Sequence, residues 1–278
     1  MASKVNTKFV IILSAVLVLV AGGVGAAVFL VMNQTGRDWE LRGDKEMEAG
    51  EFEKAAGFYS RAAGHDRTNV TYLTKWLDAL QKFTPSTQTV YAARYRDRLV
   101  PVVASLANVQ RTNVEAQHRF LGLLLREYEL SNSREAWEAL RKQADDALKF
   151  FEGGEVAGWT TLKRYRGIPT ARLLASGGDV PEDQIDKAIG DLRDALAADP
   201  KDWVSMDALI DLHAELANRA SRRGDDLAFA GHVEAAREVV RTSREANPGS
   251  ARTLLRQFEL DLGERQTAAA RNARDAAE

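Results

Sequence analysis

The chain has 278 residues, enough for one or two domains, and 45% of them are hydrophobic while 28% are charged. The 38 Lys and Arg residues nearly balance the 40 Asp and Glu residues, so the basic excess of a nucleic-acid-binding protein is absent and we expect no nucleic-acid partner. The absence of cysteine excludes disulfides, thiolate catalysis and cysteine-based metal sites.

A long apolar run lies near the start of the chain, where residues 9–32 carry no charged side chain. As a helix at ~1.5 Å per residue, this run is long enough to cross a hydrocarbon layer of ~30 Å. It predicts a transmembrane signal anchor. The alternative is a cleaved signal peptide, because the small residues 25–27 resemble a cleavage site. The anchor is preferred because residues 28–32 continue the apolar run.

The charges beside this run predict its orientation. Lys4 and Lys8 precede it without an acidic residue, whereas the charges that follow are mixed. The positive-inside rule then predicts a single-pass protein of the cytoplasmic (inner) membrane, with residues 1–8 in the cytoplasm and residues 38–278 extracytoplasmic. Small residues four apart, such as Ala21 and Gly25, would also let two spans pack, so a homo-oligomer formed through the span is an alternative.

After a short linker, residues 33–37, apolar residues recur with helical periodicity and no segment alternates as a strand would. The pattern predicts helices over 37–49, 52–64, 70–82, 88–108, 114–130, 133–152, 156–175, 181–198, 203–222, 226–246 and 251–275. We therefore expect an all-α protein with one helical repeat domain over 38–264. Residues 265–278 are predicted to be a polar tail or the start of a continuation.

Large and small residues alternate at fixed steps in residues 36–69. The positions concerned are Trp39, Gly43, Gly50, Phe52, Ala55, Tyr59 and Ala62. Their spacing resembles the tetratricopeptide repeat (TPR), a helix-turn-helix unit of about 34 residues, although Arg67 replaces the usual proline. The second-helix pattern recurs at Ala188, Leu192, Ala195 and Pro200. The resemblance implies a right-handed, TPR-like α-solenoid of helix pairs that binds a protein or peptide.

In TPR proteins the first helix of each pair mainly lines the concave groove. The resemblance places in such a groove Arg37, Glu40, Asp44, Glu48, Thr71, Thr74, Lys75, Asp78, Lys82, Glu115, His118 and Arg119. Chaperone-type members of the family clamp a C-terminal carboxylate with Lys and Asn at these positions. Because Glu40 and Asp44 stand here instead, we expect the groove to reject acidic tails and to prefer basic or neutral segments.

The sequence shows no motif that carries catalysis, a metal or a cofactor. None of the four histidines stands at the spacing of a metal motif, and His213 lies on an apolar stripe that predicts a packed core position. Residues 163–166 form a basic and aromatic cluster that could bind phosphate, but we interpret it as structural, because Arg and Lys stems cover apolar surface on ordinary helices.

The leading interpretation is a membrane-tethered, non-catalytic scaffold whose groove binds a protein or peptide. One alternative is the non-catalytic N-terminal part of a larger envelope sensor or enzyme subunit. Another is a structural subunit that oligomerises through its membrane span. The scaffold is preferred because no catalytic constellation accompanies the helical rhythm.

Overall fold

The computed structural model describes residues 34–83, 88–153 and 156–261 together with Val16 and Gly263, and it leaves the side chains of 88–97 undescribed. Within these ranges the regular structure is helical and contains no strand. The chain forms two compact units, Met1–Val109 (unit 1) and Gln110–Glu278 (unit 2). The helical repeat domain predicted over 38–264 extends across both units.

Unit 1 contains two helix pairs, and each of its helices packs on the next one along the chain. The helices are α1 (Gly36–Glu48), α2 (Phe52–His65), α3 (Val70–Lys82) and α4 (Gln88–Val109). Side-chain caps define two of the starts. Thr35 forms a capping box with Asp38 at α1, and the Asn69 side chain accepts a hydrogen bond from the third residue of α3. All four helices agree with the predicted bounds to within one residue.

A glycine lets α1 and α2 approach closely. A Cβ atom on Gly43 would lie 2.5 Å from a ring carbon of Tyr59, a distance that real Cβ atoms do not tolerate. Ala55 and Ala62 flank Tyr59 on the same face of α2, and all three are almost completely buried. Gly50 has a φ of +75°, a conformation that favours glycine, in the turn between the two helices.

Unit 2 continues the pairing of helices. Its elements are α5 (Val114–Ser131), α6 (Arg134–Leu148), a 3₁₀ helix (Trp159–Lys163) that leads into α7 (Arg164–Ala175), α8 (Glu182–Ala198), α9 (Trp203–Arg222), α10 (Asp226–Ala246) and a further helical segment at 251–261. The first helices of the pairs are α1 and α3 in unit 1, and α5, α7, α9 and the segment 251–261 in unit 2. The second helices are α2 and α4 in unit 1, and α6, α8 and α10 in unit 2.

Two predicted helices of unit 2 are shorter than expected. The helix predicted over 133–152 ends at Leu148, and the one predicted over 156–175 begins as the 3₁₀ helix before its α-helical part. After Leu148 the chain continues in turns through residue 153, and the φ of +78° at Gly158 explains why no continuous α-helix begins at 156. The helix predicted over 251–275 extends beyond the described residues.

The glycine contact of unit 1 is repeated in unit 2. A Cβ atom on Gly167 of α7 would lie 2.6 Å from the Leu192 side chain of α8, as one on Gly43 would meet Tyr59. Ala188 and Ala195 are buried beside Leu192. A first-helix glycine that packs on a large second-helix residue between two alanines is the contact expected of TPR-like helix pairs, so the all-helical fold is TPR-like.

The structure corrects the predicted localisation in the inner membrane. None of the helices in residues 34–83, 88–153 and 156–261 is long and apolar enough to cross a membrane, because charged side chains occur along them. The predicted span, 9–32, lies outside the described residues except for Val16, as do residues 1–8 and 265–278. The predicted inner-membrane localisation, with the orientation derived from it, is therefore wrong, whereas the oligomer formed through residues 9–32 stays a prediction.

The α1–α2 contact gives a stability prediction with a matched control. Gly43→Ala should destabilise unit 1 by about 1–3 kcal/mol, because the new methyl group overlaps the Tyr59 ring. Gly57→Ala, on α2 where nothing lies within 4 Å, should stabilise it by about 0.5–1 kcal/mol through helix propensity. Urea denaturation followed by tryptophan fluorescence measures both. A stabilising Gly43→Ala substitution would contradict the packing.

Candidate functional site

Two predicted groove residues of α1 share one cation from α3. The ammonium Nζ of Lys75 lies 2.7 Å from Oε1 of Glu40 and 2.7 Å from Oδ1 of Asp44. Glu40 is only 3% exposed, whereas the side chains of Asp44 and Lys75 are each about one third exposed, at 35% and 34%. We call this arrangement, two carboxylates one turn apart held by one cation of the next first helix, an acid–base clasp.

The two carboxylates of this clasp have further partners. Arg37 Nη1 donates a hydrogen bond to Oε2 of Glu40 at 2.8 Å, and the Tyr59 hydroxyl donates one to Oδ1 of Asp44 at 2.7 Å. Two cations therefore compensate two anions, and the cluster is formally neutral. The expected repulsion of acidic tails assumed uncompensated charge on Glu40 and Asp44, so that argument does not hold.

The clasp also keeps its members charged. Burial opposes ionisation of Asp44, but hydrogen bonds from Lys75 and Tyr59 outweigh it and lower the pKa of that carboxyl group. Burial likewise opposes the charge of Lys75, and its hydrogen bonds to Asp44 and Glu40 outweigh it and raise the pKa of the ammonium group. The ion pair is therefore present throughout the physiological pH range.

Unit 2 contains a second clasp, between α9 and the segment 251–261. Arg256 donates from Nε to Oδ1 of Asp207 at 2.9 Å and from Nη2 to Oδ1 of Asp211 at 2.7 Å. Asp207 is only 4% exposed, which matches the burial of Glu40 in unit 1. Arg252 also pairs with Asp207, and Arg172 of α7 approaches Asp211 at 3.4 Å.

The two clasps occupy the same helical positions. The carboxylates follow their N-caps, Thr35 and Asp202, by five and nine residues. The cations follow the caps of the next first helix, Asn69 and Ser250, by six residues. The clasp therefore recurs at equivalent positions, with one buried carboxylate, in one pair of successive first helices of each unit.

The remaining predicted groove residues of unit 1 are mostly exposed. Glu48, Thr71, Thr74 and Lys82 are exposed, and Asp78 is half-buried. Lys82 Nζ lies 3.0 Å from Asp78 one turn earlier on α3. These residues lie on the same first helices as the clasp, so the structure leaves them available for contact.

In unit 2, the predicted groove residues of α5 divide into a surface pair and a half-buried histidine. Glu115 and Arg119 are exposed and pair at 2.9 Å. His118 has a partner at each ring nitrogen: Nε2 lies 2.7 Å from the hydroxyl of Thr161 in the 3₁₀ helix, and Nδ1 lies 3.1 Å from the hydroxyl of Tyr165 in the first helix α7. Burial, followed by the nearby Arg164 charge, lowers the pKa of His118. The ring is thus neutral and joins two first helices.

The basic cluster at 163–166 is structural. Lys163 pairs with Asp194, and Arg164 lies 3.1 Å from Asp202, the N-cap of α9. Arg166, which is 8% exposed, forms a bidentate pair with the buried Asp191 of α8, at 2.5 and 2.7 Å. Each cation therefore has a carboxylate within unit 2, as the structural interpretation predicted.

A buried and a half-buried imidazole connect α9 and α10. Nδ1 of His213 lies 3.4 Å from Nδ1 of His232, with ring centroids 5.6 Å apart. An imidazole nitrogen lies roughly 1 Å from its ring centre, so the two nitrogens face each other nearly along the line of centroids, as one N–H···N hydrogen bond requires. His213 is 3% exposed and lies in the core, as its apolar stripe predicted.

Within the described ranges, no three His, Asp or Glu side chains lie close enough together to hold a metal ion. The polar clusters that are present join helices to each other: the clasps, the His118 contacts and the Arg166–Asp191 pair. In each of them the polar atoms face partners in the same unit. The arrangement is suited to fixing helix positions.

Comparison with known proteins adds little detail. No protein-family model and no curated protein sequence matches the chain. Among solved structures, the chain is similar to YrrB, described as a TPR protein with an unusual peptide-binding site, at 13% identity and a TM-score of 0.44, over 80% of this chain and 91% of that one. It is also similar to MamA, at 13% identity and a TM-score of 0.45, over 78% of this chain and 96% of that one.

A second MamA structure, residues 41 to the end from Desulfovibrio magneticus RS-1, matches at 14% identity and a TM-score of 0.40, over 78% of this chain and 99% of that one. Scores of this size carry no weight for function. The TPR-like fold is supported by the pairing of helices and by the glycine contact that occurs once in each unit, Gly43 with Tyr59 and Gly167 with Leu192.

The residues that form the clasp in unit 2 were not predicted as site residues from the sequence. Asp207, Asp211 and Arg256 carried no motif, because no TPR-like spacing was visible in the first helix of that pair. A signal was nevertheless present. Both clasps have the same sequence pattern. Two acidic residues stand four apart early in one first helix, and a basic residue stands six positions after the N-cap of the next first helix.

The clasp predicts unequal effects for two lysines of α3. Lys75→Met should destabilise unit 1 by about 1–3 kcal/mol, because it leaves the buried Glu40 with only Arg37 as a cationic partner. Lys82→Met removes a pair whose side chains are about half exposed, 52% and 48%, and should cost less than about 0.5 kcal/mol. Equal losses of unfolding free energy for the two variants, measured by urea denaturation, would show that the clasp does not stabilise unit 1.

The histidine pair predicts an acid sensitivity of unit 2. Burial, followed by the charges of His232 and Arg193, lowers the pKa of His213 to about 4, and burial followed by Arg223 lowers the pKa of His232 against the opposing charge of Asp225. As pH falls, the imidazoles of the unfolded chain therefore bind protons at a higher pH than those of the folded chain. Stability is lost as pH falls from the unfolded pKa near 6.5 towards 4. His213→Leu should flatten this loss, which is at most about 3 kcal/mol, in denaturation curves collected across that range.

Proposed function

We propose that the chain is a non-catalytic helical-repeat scaffold that binds a protein or peptide along the face of its first helices. The observation that carries the proposal is the repeated clasp, which occupies predicted groove positions in unit 1 and the matching helical positions, not predicted from the sequence, in unit 2. Paired carboxylates and cations at these positions fix the spacing of successive first helices. A surface held in this way loses little conformational entropy when a partner binds, which favours affinity.

Two groups of residues would then have different tasks. Glu40, Asp44, Lys75 and His118 would position the first helices, since they are buried or half-buried and bonded to neighbouring helices. The partner would be contacted by exposed or half-buried residues on the first helices of each unit. These are Arg37, Glu48, Thr71, Thr74, Asp78 and Lys82 in unit 1, and Glu115 and Arg119 in unit 2.

The charge balance of this face bears on the partner. The clasp of unit 1 is neutral, and so are the pairs Asp78–Lys82 and Glu115–Arg119, so that among the named residues Glu48 is the charge without a counterpart in the set. Because uncompensated charge is what gives long-range preference for a partner of opposite sign, the face should select by hydrogen bonds and shape. The preference for basic segments expected from Glu40 and Asp44 is replaced by a preference for segments of mixed or no charge.

Site-specific photocrosslinking in the cell tests this function on the full chain. A photoreactive residue at Thr71 or Glu115, both exposed on first helices, should yield a discrete crosslinked protein or peptide. The matched controls are Lys54 and Glu138, which are exposed on the second helices α2 and α6. Crosslinks at both controls but at neither first-helix position would refute binding along this face.

A further inference from the structure

A groove crosses unit 2 on the side of the second helices α8 and α10, with α9 as its floor. It consists of two hollows of about 300 Å³ and 260 Å³ that share Pro200 and Ser243 in their walls. The shared residues make the two hollows neighbours along one surface path. The path runs from the start of the segment 251–261, past the loop before α9, to the C-terminal parts of α8 and α10.

The smaller hollow is predominantly apolar. Leu196 of α8, Leu209 of α9 and Val239 of α10 line it, and Ala197 lies exposed at its edge. Leu209 and Val239 belong to the hydrophobic core, at 1% and 9% exposure, so the hollow opens onto core side chains. An apolar side chain placed here would remove apolar surface from water at roughly 25 cal/mol per Å².

The larger hollow is built around an exposed tryptophan. Trp203 is 52% exposed at the start of α9, although tryptophan side chains are usually largely buried. The Arg252 guanidinium lies 4.2 Å from the centre of its ring, which holds the indole in place. Met206 and Ser250 complete this part of the wall. A fixed, half-exposed tryptophan beside a cavity is the type of residue that dominates binding energy at interfaces.

Uncompensated charge lies along the α8 side of the groove. Arg193 and Lys201 line it, and neither has a carboxylate within ion-pair distance among the residues that the structure describes. The Asp199 carboxylate accepts from the backbone N–H of Lys201, and Glu238 on the opposite wall is paired with Arg241. Arg252 is paired with Asp207. The groove therefore combines an apolar floor with two cations that lack partners.

We propose that this groove docks an extended segment of a partner protein that carries two apolar side chains, one for each hollow, flanked by carboxylates. The two hollows require two anchors, and Arg193 and Lys201 require a negative flank. The inference rests on the proposed scaffold function, but it concerns the second-helix side of unit 2. The partner segment here is acidic, in contrast to the neutral segment expected on the first-helix face.

Fluorescence polarisation with the full chain tests the groove. The probes are three pools of labelled dodecapeptides on a Gly/Ser background, which carry two leucines with glutamates, two leucines with lysines, or glutamates alone. The leucine–glutamate pool should bind about tenfold or more tightly than either of the others, and raised salt should weaken its binding. No binding of this pool, or tighter binding of the leucine–lysine pool, would overturn the proposal.

Two exposed alanines supply a matched pair of variants that leave the core intact. Ala197→Glu places a carboxylate at the edge of the apolar hollow and should weaken binding of the leucine–glutamate pool about tenfold or more. Ala230→Glu, exposed on α10 outside both hollows, should leave binding unchanged. Equal affinity of the two variants would place the bound peptide elsewhere and overturn the assignment. Crosslinking from Thr71 and Glu115 reports the first-helix face separately.

Discussion

The first-helix face of each unit depends on one contact, the acid–base clasp. In it, two carboxylates one turn apart on a first helix face one cation of the next first helix. In unit 1 the buried member is Glu40, and in unit 2 it is Asp207. Sliding of α3 would leave the buried Glu40 with Arg37 in place of two cations, and sliding of the segment 251–261 would withdraw both Arg252 and Arg256 from Asp207. Because a buried carboxylate that loses its cations is costly, both movements are opposed. The clasp thus sets the register between neighbouring pairs, although its net contribution to stability is modest.

A different contact sets the geometry within a pair. Gly43 against Tyr59, and Gly167 against Leu192, fix how closely a first helix approaches its second helix. Tyr59 takes part in both the glycine contact and the clasp of unit 1, because its ring packs against Gly43 and its hydroxyl donates a hydrogen bond to Asp44. Sterically fixed pairs joined by ionic contacts give each unit a defined surface, and such a surface binds a partner without first having to be ordered.

Much of the fold was predictable because its signals are local. Helical periodicity and caps such as Asn69 gave the bounds of unit 1 to within one residue. The clasp was not predicted, because Lys75 lies 31 residues from Asp44 in the chain and sequence spacing alone does not show that they meet. The groove beside Trp203 was missed for the same reason, since its walls come from separate helices. The inner-membrane localisation was inferred from residues 9–32 alone and is contradicted by the described helices.

The central claim is that the clasp couples successive first helices, and a pair of double-mutant cycles tests it most directly. One cycle combines Asp44→Asn with Lys75→Met, and the other combines Asp211→Asn with Arg256→Met, with unfolding free energies from urea denaturation. The clasp predicts coupling energies of about 1 kcal/mol or more in both units. Coupling energies near zero in both cycles would show that the carboxylates and cations are adjacent without holding the helices together.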